Sequence, residues 1–71
     1  MKTKIKMRVD FLDNGQIIPL MFVNENEETL RIDRIIESNR IDKSTFRFIC
    51  RCSDKIITVF LEDYMWYVLS N

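Results

Sequence analysis

Cys50-Arg51-Cys52 places two thiols one residue apart. Thiolates act as nucleophiles and as metal ligands. A structural zinc site takes four ligands, and one copy of this chain supplies two thiols with no other ligand at an expected spacing. A symmetric dimer would supply four. On one strand the two Cα atoms lie roughly 6.5–7 Å apart by strand rise, at or beyond the reach of a disulfide. The reading adopted is two reduced thiols on an inward face beside Phe46 and Phe48.

The chain has no histidine. That removes Ser-His and Cys-His nucleophile pairs and any His-ligated metal. The single glycine rules out phosphate-binding loops of the Walker and dinucleotide types. Carboxylates remain available for proton transfer, but Glu25, Glu27 and Glu28 share one polar turn and read as a solvated tip. No catalytic residue, cofactor or metal site is expected, and the chain is read as a non-enzyme.

Binding is the alternative to catalysis. Lys4, Lys6 and Arg8 form a basic stripe that ends in Asp10, and Arg47 and Arg51 form a second. With Arg31 from a third strand, Arg47 and Arg51 are the candidates for contacting single-stranded nucleic acid alongside exposed aromatics. Outward Lys and Arg also keep sheets soluble and their edges unpaired. Tyr64, Trp66 and Tyr67 cluster near the C-terminus and are the candidates for a protein partner. Alternation sets Trp66 and Val68 on one face, and Met65, Tyr67 and Leu69 on the other. Arg34 falls where an apolar residue is due. An inward guanidinium needs a partner, and Asp10, Asp33 and Glu62 are candidates for a structural ion pair.

The elements that position these residues follow from a period of two. Ile5, Met7, Val9 and Phe11 alternate with Lys4, Lys6, Arg8 and Asp10; Phe46, Phe48, Cys50 and Cys52 alternate with Arg47 and Arg51. Alternation puts successive side chains on opposite faces of a strand. The first strand is predicted over 4–12, followed by a hairpin turn at Asn14-Gly15 with positive φ at both positions. The second runs over 16–23, at an edge or bulged at Pro19. The third, over 29–38, breaks phase at Asp33-Arg34, where a bulge would bend it. Residues 39–44 read as a loop. The fourth strand covers 45–53. The fifth covers 56–62 and, apolar at most positions, reads as covered on both faces. The sixth covers 65–69.

Seventy-one residues make one domain over 1–71, burying only about 60% of its unfolded surface. Hydrophobic residues make up 46% of the chain, enough for one core. The 11 basic and 11 acidic residues cancel, which argues against a general polyanion binder and favours self-association. No apolar run reaches the ~18–20 residues of a membrane helix, and the basic N-terminus lacks the apolar segment of a secretory signal. A cytoplasmic location is therefore expected. Short connections make the architecture all-β: a six-stranded antiparallel meander in a small, partly open barrel, SH3-like or OB-like in size.

Three runs carry a resemblance: Phe11-Leu12-Asp13-Asn14-Gly15-Gln16-Ile17-Ile18-Pro19-Leu20, then Ile32-Asp33-Arg34-Ile35-Ile36, then Phe60-Leu61-Glu62-Asp63 leading to Trp66-Tyr67-Val68. In this order they resemble a group of short, uncharacterised bacterial proteins with no assigned activity. The resemblance covers most of the chain and implies no function. The chain departs from that group in carrying Tyr64 where a glycine is usual, and in a short, glycine-free segment between the third and fourth strands. The function expected from the residues is a non-enzymatic interaction module, binding a protein or a second copy through an open edge and the Tyr64–Leu69 region. The alternative is a small barrel that binds single-stranded nucleic acid.

Overall fold

The computed structural model describes residues 2–69. Seven antiparallel strands form one curled sheet: β1 (Lys2–Phe11), β2 (Ile17–Val23), β3 (Thr29–Arg31), β4 (Arg34–Asp42), β5 (Thr45–Cys52), β6 (Lys55–Glu62) and β7 (Met65–Leu69). Their order is β3-β2-β1-β7-β6-β5-β4. The first and last strands pair at the centre, with Lys4 opposite Tyr67 and Ile5 opposite Trp66. The sheet curls into an open half-barrel whose outermost strands, β3 and β4, are joined by Ile32 and Asp33 alone.

The expected third strand is two strands, which makes seven rather than six. At the crossing, the Ile32 N–H donates to the Leu20 carbonyl (2.9 Å) and the Asp33 N–H to the Arg51 carbonyl (2.9 Å). Consecutive residues thus bond to opposite halves of the sheet. Asp33 adds a clamp, because its Oδ2 accepts the Ser53 N–H at 2.7 Å. Beyond the crossing the strand continues through 39–42, where a loop was expected, and turns only at Lys43-Ser44. An edge strand needs no apolar face of its own when its neighbour supplies the hydrogen bonds.

The turns show how local chemistry sets register. Gly15 N–H donates to the Leu12 carbonyl and Leu12 N–H to the Gln16 carbonyl, both at 2.9 Å. This is a three-residue loop with only Gly15 at positive φ, 84°, not the expected pair of positive-φ residues. Asn24 to Glu28 repeats the same bonds, with Glu27 at φ 61° in the glycine's place. At Pro19 the expected irregularity is present: Arg8 pairs with Met21 and Val9 with Pro19, which leaves Leu20 bulged.

The concave face holds the core. Ile5, Phe22, Phe48, Cys50, Cys52 and Val59 are buried together, with Met7, Leu30, Ile35, Phe46, Ile57, Trp66 and Val68 packed against them. Strand β6 is fully buried on this side only: Val59 and Leu61 are buried, whereas outward Ile56 is exposed and Thr58, Phe60 and Glu62 are half-buried. The expectation of cover on both faces fails because a single curled layer leaves its convex side in water. Among the described residues no helix is long and apolar enough to cross a membrane.

Candidate functional site

Charge is sorted by element. Of the 11 acidic residues, Asp13, Glu25, Glu27, Glu28, Asp33, Asp54 and Asp63 lie in connections, whereas Lys43 is the only one of 11 basic residues there. The strands therefore carry the positive charge, and a net charge of zero conceals a basic sheet. The physical reason is local. Asp and Asn favour turns through bonds to their own backbone, while Lys and Arg protect outward strand positions.

Directly opposed residues share a face, so the strand pairing places the cations. Lys4 faces Tyr67, Tyr67 faces Phe60, Phe60 faces Arg47, and Arg47 faces Asn39. This transverse row runs across β1, β7, β6, β5 and β4 on the convex side. Two aromatic rings sit at its middle with a cation on each flank. Neighbouring strands lie about 4.8 Å apart, so Lys4 and Arg47 stand roughly 14 Å apart across the rings. Lys2 and Lys6 extend the row along β1, and Arg51 extends it along β5.

Each member is half-buried or exposed. The Lys2 ammonium lies 5.8 Å from the Phe60 centroid and 5.6 Å from that of Tyr67. It also pairs with Glu62. Glu37, on β4, accepts a hydrogen bond from Asn39 Nδ2 at 2.8 Å. The carboxylates nearest the row are thus engaged by Lys2 and Asn39. Arg47 Nε is buried without a hydrogen-bond partner, alone in this among the described buried side-chain atoms. A charged donor left unpartnered is costly in the free protein.

Arg34 lies opposite Arg51, and both are exposed. The expected inward Arg34 with a structural ion pair is therefore corrected. The extra residue of the bulge is Ile36, skipped between the Ile35–Cys50 and Glu37–Ile49 pairs, and the break at Ile32-Asp33 resets the phase. Among the described residues the recorded ion pair is Lys2–Glu62, not one involving Arg34. Two arginines directly opposed repel each other. Arg51 Nε donates to the Ser53 carbonyl at 3.2 Å.

The other candidates separate. Arg31 opposes Met21, which opposes Arg8, so it belongs to the β1–β2–β3 half, away from the row. Trp66 opposes buried Ile5 and Leu61 and packs on Phe48, so it lies half-buried on the concave side, against the core and apart from Tyr67. Tyr67 is on the convex face, and Tyr64 is 96% exposed at the β6–β7 turn. Sequence reasoning passed over Phe60 and Lys2. Phe60 was hidden in an apolar run read as wholly buried, although its place two residues after Thr58 and two before Glu62 marks the outward phase.

A second feature is the unclosed seam. A cavity of about 230 Å³ lies between Gly15–Ile17 and Ser38–Arg40, with Phe46 and Phe48 in its lining. Arg40 covers its rim, its guanidinium 5.7 Å from the Phe46 centroid and bonded to the Asp42 and Lys43 carbonyls at 3.2 Å each. The outer edge of β4 faces this seam, with register shifts at Ile36 and Ile41.

The thiols lie on the opposite, concave side. Cys50 and Cys52 are both free and buried. Burial pushes the Cys50 thiol up to about 11, with Cys52 beside it adding to the rise. Burial also raises Cys52, helped by the Asp33 carboxylate. Both are protonated at neutral pH and act as small apolar packing groups. No family model, curated protein or solved structure matches the chain.

Proposed function

We propose that the convex face of β1, β7, β6 and β5 binds single-stranded nucleic acid. The observation that supports this is the row Lys4–Tyr67–Phe60–Arg47, in which two neighbouring aromatic rings lie between cations. Bases stack on aromatic faces whatever their identity, and phosphates meet Lys and Arg. In this reading Tyr67 and Phe60 are the stacking positions, and Lys4, Arg47 and Arg51 meet the backbone. Lys2 covers both rings in the free protein and moves aside as a base enters, turning its ammonium toward phosphate. The opposed pair Arg34–Arg51 gains a counter-ion on the same path. Recognition is of charge and stacking, with little base readout.

An interaction module acting on a protein or a second copy is the other reading. The cavity beside Phe46 and Phe48 and the exposure of Ile36 and Ile41 favour it. The two bulges in β4 weigh against it, because they interrupt the regular spacing an added strand would pair with.

Anisotropy of a fluorescent single-stranded oligonucleotide, titrated with the protein at low salt, tests the leading reading. Binding that weakens as salt rises, and that Tyr67→Ala or Phe60→Ala reduces in a folded protein, is the expected result. No binding at low salt overturns it, and a dimer through the seam by light scattering would favour the second reading.

A further inference from the structure

Asp63 and Tyr64 form the tip of the β6–β7 hairpin, at φ 48° and 68°. Glu62 and Met65 are paired on either side, so the turn contains these two residues alone. Positive φ at both positions is the type I′ arrangement, whose second position suits glycine. A tyrosine there is strained, because its Cβ crowds the neighbouring carbonyl oxygen. Burial does not offset that strain: Tyr64 is 96% exposed, more than any other exposed large apolar or aromatic side chain described. For the fold alone, glycine would be the better residue.

We propose that Tyr64 is a ligand-contacting residue, a third stacking position at the end of the Phe60–Tyr67 platform. The proposal rests on the nucleic-acid reading above and extends it to the hairpin tip. Tyr64 is three residues from Tyr67 on the same hairpin, at most about 10 Å along the strand. The tip is held in place. The Asp63 N–H donates to the Ser44 carbonyl at 3.2 Å. The Lys43-Ser44 turn, which carries a cation, is thereby tied to the turn that carries Tyr64. A tyrosine has only two side-chain torsions to fix on binding, so a ring on an anchored turn is presented at small entropic cost. The ligand class is a single strand long enough to pass from the Arg51 end of β5 to the β6–β7 tip.

The test separates fold from binding by moving them in opposite directions. Tyr64→Gly is expected to raise the thermal midpoint by roughly 4–8 °C and to weaken oligonucleotide binding about tenfold, the loss of one stacked base. Tyr64→Phe keeps the ring and should bind like the parent chain. A glycine variant that binds as tightly as a parent that does bind overturns the proposal and leaves the platform standing. So does a glycine variant that is less stable than the parent, because the strain argument then fails. A parent chain that binds no oligonucleotide at low salt overturns the platform itself, and Tyr64 with it.

Discussion

Trp66 leans on Phe48 across the concave face, with ring centroids 5.6 Å apart and planes tilted by 33°. The contact joins β7 to β5 over the intervening β6, and so holds the curl of the sheet. Trp66→Ala removes the larger partner and leaves a void beside a buried ring. Loss of a large core aromatic costs about 3 kcal/mol or more, a large share of the stability of so small a domain. Thermal unfolding followed by circular dichroism should show a much lowered or absent cooperative transition.

Arg47 and Arg51 lie four residues apart, in phase on the convex side of β5. Each phosphate neutralised on a single strand contributes about −0.7 to the slope of log affinity against log salt. Arg47→Gln and Arg51→Gln should each weaken oligonucleotide binding and each make that slope shallower by about 0.7. Arg31→Gln, on the other half of the sheet, should leave the slope unchanged. Titrations at three or four salt concentrations measure this.

Two loops share one geometry but place different residues at its left-handed position. Gly15 occupies the left-handed position in the first, and Glu27 occupies it in the second. A side chain there is strained, so Glu27→Gly should stabilise the protein by about 1 kcal/mol despite glycine's greater freedom when unfolded. The reverse exchange, Gly15→Glu, should destabilise by a similar amount. A Cβ at Gly15 meets nothing within 4 Å, so backbone strain and not a clash sets the loss. Urea denaturation of the two variants decides the signs.

The thiols make stability depend on alkaline pH. Cys50 titrates at about 11 in the folded chain against 9.0 as the ordinary value, and Cys52 is shifted the same way. The folded state thus holds its protons more tightly than the unfolded state. The stabilisation is fully present below pH 9 and is lost as pH rises through about 11. Cys50→Val should flatten that part of the profile relative to the parent, measured as the denaturant midpoint between pH 8 and pH 11. Both thiols should resist a thiol reagent at neutral pH until the chain unfolds.

Much of the fold is written in the alternation of β1 and β5, and β7 spans the same residues that its pattern predicts. The phase break at Asp33-Arg34 announces the bend. It does not announce that the chain crosses to the other half of the sheet at Ile32-Asp33, which resets the phase and turns Arg34 outward. The segment 39–42 looked like a loop because an edge strand with polar side chains has no apolar signature. The site was harder to read than the fold. Net charge sums over turns and strands, so acidic tips masked the basic sheet. Phe60 looked buried because an apolar run does not reveal whether one face or two will be covered. Arg31 resembles Arg47 and Arg51 in sequence, but strand order separates them.

On the proposed reading, ligand binds on the convex row and not in the seam. Amide chemical shifts of the 15N-labelled protein, followed as a short single-stranded oligonucleotide is added, test it directly. The expected result is changes concentrated at Lys4, Tyr67, Phe60, Arg47 and Arg51, with Gly15–Ile17 and Ser38–Arg40 unmoved. Changes confined to those seam residues, or no changes at low salt, would contradict it.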